Sequence, residues 1–462
     1  MTDVHQFDPT ILRRYDVRGL VGSELKMIDA YALGRAFGTI VTSRGGVGVV
    51  VGRDGRVSSS EIANYTIKGL VTAGINVLDV GVCPSPALYF GIYHLGVDGG
   101  IMITGSHNPP EYNGFKMMLG TAPFFGSDIQ LMSQIAMTGS YTSGFGSVKS
   151  VPVLEAYISR LLMDYRFGRE LSVVWDCGNG TTGPVVNALA DALPGSHTVL
   201  YSEIDGTFPN HHPDPTLPNT LEGLRTAVLL SRADLGVAFD GDGDRIGLID
   251  ESGRVIWGDQ LLAIYASEVL AKNPGAAVIA DVKTSQVLFD HVSKLGGSPL
   301  MWCTGHSLIK SKMMKTGALL AGERSGHIFF KDCYYGFDDA LYAALRMLSL
   351  LSTSNRSLSD WNDDLPKMLS TPEIRFSCAK TRILPIIENV KLLLKGRDDI
   401  SVSDIDGVRV SSKNGWWLLR ASNTQDLLVA RCEAKSLDTL ELLKKELLGV
   451  IHSVGLENIS IF

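Results

Sequence analysis
Short apolar runs that end in Gly or Asp, each followed by a polar loop and a helix-length stretch with apolar residues three and four apart, recur along this chain. The first set holds VGVVV from Val47 to Val51, a helical stretch from Ser58 to Ala73, INVLDV from Ile75 and GIMIT from Gly100. The second holds SVVWD from Ser172, a helix from Pro184, TVLYS from Thr198 and LGVAF before Asp240. The third holds AVIAD from Ala277, a helix from Thr284 to Leu295, PLMW from Pro299 and ALLAG before Glu323. Strand and helix in alternation predict α/β units. Beyond about Ser370 the pattern changes to scattered strands with close turns, closed by an amphipathic stretch from Ser436 to Val454. Turn residues at Pro152, at Glu251 to Gly253 and at Ser370 to Pro372 mark the joints. The predicted fold is three similar α/β domains, 1–151, 152–254 and 255–369, and a smaller C-terminal α+β domain, 370–462.

Composition narrows the class. A chain of 462 residues with 45% apolar and 20% charged residues has the material for several cores and is neither disordered nor collagen-like. Forty-two basic against 49 acidic residues leave −7, which argues against a nucleic-acid or membrane partner held by bulk charge. An anionic substrate would need cations gathered locally. No apolar run reaches the roughly 18 residues of a membrane helix, and the start MTDVHQFDPTILRRYDVRG does not read as a targeting segment. The six cysteines lie far apart without a CxxC, which fits free thiols and a cytoplasmic setting.

Four loops carry candidate chemistry. Thr104-Gly-Ser-His-Asn-Pro-Pro110 follows a strand, where α/β proteins place ligands, so Ser106 is a candidate nucleophile, with His107 and Lys116 near it in sequence. The alternative is a turn serine that bonds its own backbone. Asp240-Gly-Asp-Gly-Asp-Arg245 sets three carboxylates at alternating positions, a pattern suited to a hard divalent cation. Asp240, Asp242, Asp244 and Glu251 also match positions of a calcium-binding EF-hand loop, but Arg245 stands where that loop requires glycine. A solvated acidic turn is the remaining alternative. Gly322-Glu-Arg-Ser-Gly-His327 offers Glu323 and Ser325 to vicinal sugar hydroxyls and His327 for proton exchange, unless it is an ordinary hairpin loop. Arg420-Ala-Ser-Asn-Thr-Gln425 clusters donors suited to a phosphate dianion, though Ser, Asn and Thr also favour turns for local reasons. A fifth stretch, Gly178-Asn-Gly-Thr-Thr-Gly183, fits the dinucleotide fingerprint, with Glu203 twenty residues on. Asp176 just before it would oppose a pyrophosphate.

Taken in order, TGSHNPPEYNGFKM, FPNHHPDP, DGDGDR, DVKTS, TGHSLIKSKM, GERSGHIFF, GFDDA and RASNT resemble the α-D-phosphohexomutase superfamily, especially its bacterial phosphomannomutase/phosphoglucomutase group. The resemblance implies four domains around a central cleft. It implies a phosphorylated Ser106, with Mg²⁺ held between that group and Asp240, Asp242 and Asp244, and catalytic roles for His107, Lys116, Arg245 and His327. Tyr15, Arg18, Lys283, His306, Glu323, Ser325, Arg420, Ser422, Asn423 and Thr424 are implied as substrate-binding. The reaction implied interconverts hexose 1- and 6-phosphates of mannose or glucose through a hexose 1,6-bisphosphate, feeding nucleotide-sugar and polysaccharide synthesis. Alternatives are a phosphoglucosamine mutase, a sugar phosphatase, a non-catalytic sugar-phosphate-binding protein and an NAD(P)-dependent oxidoreductase. A monomer is expected, with a weak dimer as the alternative. Arg324 in the sugar loop and Asp426 beside the phosphate loop depart from the residues usual in relatives.

Overall fold
The computed structural model describes residues 4–422 and 427–456. Its strands form four sheets, and the first three are variations on one order. In the first, strand Gly48–Arg53 runs parallel to Asn76–Val82 on one side and Gly99–Ile103 on the other, and Tyr112–Leu119 then pairs antiparallel with Gly99–Ile103. The second repeats this with Leu171–Asp176 between Gly195–Leu200 and Leu235–Phe239, capped antiparallel by Ile246–Asp250. The third places Ala277–Asp281 between Ser298–Trp302 and Leu320–Gly322, capped by Ile328–Phe330. The first sheet is widened by Val17–Leu20 at one edge and Val148–Ser150 at the other.

This repeated order places three of the chemical loops. Each joins the last parallel strand of its sheet to the antiparallel strand that follows, so each leaves the sheet at the carboxyl ends of parallel strands. The strands that carry them, Gly99–Ile103, Leu235–Phe239 and Leu320–Gly322, are buried along their whole length. That burial explains their unbroken apolar character. The antiparallel cap is the feature the α/β pattern did not announce.

The fourth sheet is antiparallel, ordered Leu369–Ser370, Leu427–Ala434, Gly415–Ala421, Val408–Ser412, Ser401–Ser403, with Ile374–Ser377 also on Leu427–Ala434. Helix Leu437–Ser453 packs on it through Leu440, Leu443, Leu447, Val450 and Ile451, starting at a Ser436 side chain that accepts the Thr439 N–H. The fourth unit has a core of its own. The first three share one, which runs from Leu88 and Tyr89 through Tyr157 and Trp175 to Leu262 and Leu345. Among the described residues no helix is long and apolar enough to cross a membrane. The six cysteines are free, and all but Cys333 are buried.

Candidate active site
One cavity of about 860 Å³ is lined from all four units. The first unit contributes Tyr15, Arg18, Ser106, His107 and Lys116, and the second contributes Arg245. The third gives Lys283, His306, Glu323, Ser325 and His327, and the fourth gives Arg420 and Ser422. Asn423, Thr424 and Asp426 lie outside the described residues.

Ser106 sits where the cavity meets the acidic loop. Its hydroxyl donates to Asp240 Oδ2 at 2.9 Å and lies 3.2 Å from His107 Nδ1. Its backbone is left-handed, with φ 51°, a region that residues with a Cβ rarely occupy. Burial, then the cations Arg245, Arg18 and Lys116, push the His107 pKa well below its usual value, so this ring is neutral at pH 7.

Asp240, Asp242 and Asp244 are fully buried, and each offers a carboxylate oxygen within 4.8 Å of the others. Lys116 Nζ donates to Asp242 Oδ2 at 2.6 Å and also to Asp244 Oδ2. Burial opposes the Lys116 charge, but the three carboxylates outweigh it and raise the amine pKa. Crowding shows at Asp240, whose pKa is driven up by burial and by Asp242 and Asp244. Asp242 Oδ1 is buried without a hydrogen-bond partner among the described residues. Three hard oxygen donors converging with one orphaned lone pair fit a divalent cation. The two strands flanking this loop pair antiparallel, from Phe239 with Ile246 to Leu235 with Asp250, whereas an EF-hand loop joins two helices. The loop meets the serine loop back to back: a Cβ on Gly241 would lie 2.6 Å from the Ser106 carbonyl oxygen.

The loop from Gly322 to His327 forms the next wall. Glu323 accepts the Gly305 N–H at 2.7 Å, and its other oxygen lies 3.0 Å from His327 Nδ1. His327 Nε2 is 3.3 Å from Asp244 Oδ1. Burial disfavours the imidazolium, but Asp244 and Glu323 prevail and lift the His327 pKa to about 9. Glu323 is held at about 2, burial being overcome by His327 and Lys283. Ser325 Oγ is 3.0 Å from His327 Nδ1. His306 stacks on His327 with centroids 5.6 Å apart, meets the edge of Tyr15, and lies 3.4 Å from Asp338. Arg324 turns its Nε toward Asp259 at 3.8 Å and its guanidinium toward the Trp257 ring, which offsets its charge.

Cations complete the enclosure. Arg18 donates to Asn108 Oδ1 at 2.7 Å and pairs with Asp16. Arg245 Nε lies 4.0 Å from Asp240 Oδ2. Lys283 Nζ is 3.4 Å from Glu373. In the fourth unit Arg420 Nε donates to Asp406 Oδ2 at 3.1 Å, and Asp406 also accepts the Thr304 N–H and lies 3.6 Å from Arg14. A field of this sign within an acidic protein suits an anionic ligand.

Models of the phosphoglucomutase/phosphomannomutase alpha/beta/alpha domains I, II and III and of its C-terminal domain match residues 9–140, 154–253, 257–369 and 373–450 in turn. The chain belongs to the phosphoglucomutase/phosphomannomutase family. It is 44% identical over 435 residues, 94% of each chain, to a phosphomannomutase/phosphoglucomutase of Pseudomonas aeruginosa. It is 41% identical to a phosphoglucomutase of Neisseria gonorrhoeae, covering 96% of this chain and 97% of that one. A crystal structure of a phosphoglucomutase/phosphomannomutase family protein from Burkholderia thailandensis superposes with a TM-score of 0.93 at 40% identity, over 99% of this chain and 100% of the other.

This family member also uses residues that the sequence reading passed over. Arg56 and Asp54 lie at the end of strand Gly48–Arg53 and bond the serine loop. The signal was Asp-Gly-Arg at the carboxyl end of a parallel strand. Asp406, which joins Arg420 to the third unit, stood in an ordinary turn with nothing to mark it. The Gly178–Gly183 stretch, in turn, supports the acidic loop. Four of its N–H groups are spent: Gly178 on Asp176, Asn179 on the Tyr201 carbonyl, Gly180 on the Cys177 carbonyl and Thr181 on the Gly241 carbonyl. Those four are not free to bind a pyrophosphate, and the Asp176 carboxylate stands beside them.

Proposed function
We propose that this protein is an Mg²⁺-dependent phosphohexomutase that interconverts the 1- and 6-phosphates of mannose and glucose through a phosphorylated Ser106. The observation that carries this reading is the Ser106 hydroxyl, 2.9 Å from Asp240, on the floor of a cavity that Glu323 and Arg420 also line. Asp240, Asp242 and Asp244 would hold Mg²⁺ together with an oxygen of the seryl phosphate. When bound, the ion neutralises charge on the phosphoryl oxygens.

Ser106 gives its phosphoryl group to the free hydroxyl of a hexose monophosphate. The Ser106 Oγ–P bond breaks, a bond forms to the sugar oxygen, and the hydroxyl proton must leave. Lys116 and His327 are the proton carriers in this reading, both buried beside the acidic trio; a cation held by the trio would lower both pKa values, which the bare carboxylates raise, and so free one of the two to take the hydroxyl proton. The resulting 1,6-bisphosphate turns over and returns its other phosphate to Ser106. Such a reversal needs contacts that serve both orientations. Glu323 and Ser325 would hold O3 and O4, and Arg420, Ser422, Asn423 and Thr424 the phosphate that does not react. Tyr15, Arg18, Lys283 and His306 would complete the electropositive wall. One chain supplies every group named here, which favours a monomer as the working unit. The buried free thiols favour a cytoplasmic setting.

The test is a coupled assay with the 1-phosphates of glucose, mannose and glucosamine, each with catalytic hexose 1,6-bisphosphate and Mg²⁺. Isomerised glucose and mannose phosphates should far exceed released inorganic phosphate. Phosphate release without isomerisation would replace the mutase reading with a phosphatase.

A further inference from the structure
We infer that Arg56 is the residue that positions the nucleophile, holding the Ser106 loop in register with the acidic trio by its main-chain carbonyls. This inference rests on reading Ser106 as the phosphoryl carrier. Arg56 is 2% exposed. Its Nη2 donates to the carbonyls of Ser106 at 2.8 Å and Asn108 at 2.6 Å, and its Nη1 to those of Tyr112 at 3.1 Å and Pro109. Nε donates to Asp54 Oδ2 at 3.1 Å, and the same oxygen accepts the Gly105 N–H at 3.0 Å. A guanidinium has five N–H donors. All five are committed here, so Arg56 has none to offer a substrate phosphate and acts through the loop alone.

Two neighbours are shaped to this guanidinium and a third to the backbone that carries it. A Cβ on Gly105 would lie 2.4 Å from Arg56 Nε and 2.5 Å from Cζ, so the residue before the serine must be glycine for the side chain to pass. A Cβ on Gly206 would lie 2.4 Å from the Arg56 Cα, and the Phe208 ring centroid is 5.2 Å from its Cζ. Gly206 and Phe208 belong to the second unit, which also carries Asp240, Asp242 and Asp244. Arg56 therefore references the serine of one unit to the carboxylates of the next. It also explains how Ser106 keeps a left-handed backbone, since such a conformation persists only where the surroundings over-determine it.

The test compares Arg56→Ala, Arg56→Lys and Gly105→Ala with the parent. It reads kcat, KM, the rate at which hexose 1,6-bisphosphate phosphorylates Ser106 by intact-protein mass spectrometry, and folding by circular dichroism. Each variant should lose about 100-fold in kcat and in phosphorylation rate with KM within about threefold, because an ångström of misplacement costs that much while the binding groups stay. Millimolar guanidinium should restore Arg56→Ala by about tenfold and leave Arg56→Lys unchanged, since the lysine stem fills the slot. A folded Arg56→Lys enzyme with parental kcat would overturn the proposal, because lysine keeps the charge without the fork. So would a folded Arg56→Ala enzyme that guanidinium does not restore. If Arg56→Ala does not fold, Gly105→Ala and Arg56→Lys decide the matter by the same readings. A parent that neither isomerises sugar phosphates nor takes phosphate on Ser106 defeats the mutase reading as well; an active parent matched by its variants defeats only the positioning role.

Discussion

Replacing Lys116 by methionine tests the electrostatics of the site directly. Lys116 is 3% exposed, its ammonium lies 2.6 Å from Asp242 and touches Asp244, and both carboxylates are fully buried. Removing one partner of a buried ion pair costs about 3–5 kcal/mol, mostly because the other charge is left unpaired in a poor solvent. In a cooperative unit of about 150–250 residues each kcal/mol moves the unfolding midpoint by about 2–4 °C. With EDTA present, Lys116→Met should therefore unfold roughly 6–20 °C below the parent in differential scanning fluorimetry. Magnesium should then recover much of the loss, because a ligand that binds only the native state at 100 times its dissociation constant adds about 2.7 kcal/mol. The parent should gain less, since its ammonium already offsets one unit of the trio's negative charge, shared between Asp242 and Asp244. Equal midpoints in EDTA would refute the ion-pair argument, and equal magnesium shifts in both proteins would refute the trio as the metal site.

Ser106→Ala should abolish isomerisation and leave hexose-phosphate binding by calorimetry largely intact; measurable turnover in that variant removes Ser106 as the carrier. Gly241→Ala brings a Cβ to 2.6 Å from the Ser106 carbonyl oxygen and should lower kcat by about 100-fold, with parental kcat counting against the contact between the two loops. Asp339 accepts hydrogen bonds from the Tyr157 and Tyr334 hydroxyls and the Tyr342 N–H, and burial outweighs these to lift its pKa to about 6. The native state then binds the Asp339 proton more tightly than the unfolded chain, so this residue makes stability fall as pH rises from about 4 through 6. Asp339→Asn should remove roughly 2–3 kcal/mol of that fall, read as the parent-minus-variant difference in urea midpoint between pH 4 and 7; a pH-independent difference would show Asp339 to be ionised throughout.

The strands and helices were legible because their signals are local. The runs at Val47, Ser172, Leu235 and Ala277 all became central strands, since a parallel strand covered on both faces must be apolar from end to end. The antiparallel cap of the first sheet was not announced. Tyr112–Leu119 reads YNGFKMML, with Asn and Lys among apolar residues, because Lys116 is buried against the acidic trio and Asn113 is buried with its amide on the Ser58 and Ser59 hydroxyls. Functional polarity in a strand erases the pattern by which strands are recognised.

The same conflict sets what could be read of the site itself. DGDGDR and GERSGH stood out because several polar groups that would repel or cost free energy if buried singly sit within a few residues, and only a shared ligand or partner relieves them. Asp406 looks like any charged residue in a turn and Arg56 is marked only by its place just after a parallel strand, and their meaning lies in partners far along the chain: Ser106 is 50 residues from Arg56, and Thr304 is 102 from Asp406. The residues that do chemistry cluster in sequence because one loop must present them together. The residues that align one domain with the next cannot cluster, because each must stand in one domain and reach into another. A sequence of this kind therefore reveals what its loops can bind before it reveals what holds them facing each other, and Arg56, whose five donors fix the serine loop of its own domain while its backbone and side chain pack on Gly206 and Phe208 of the next, belongs to the second class.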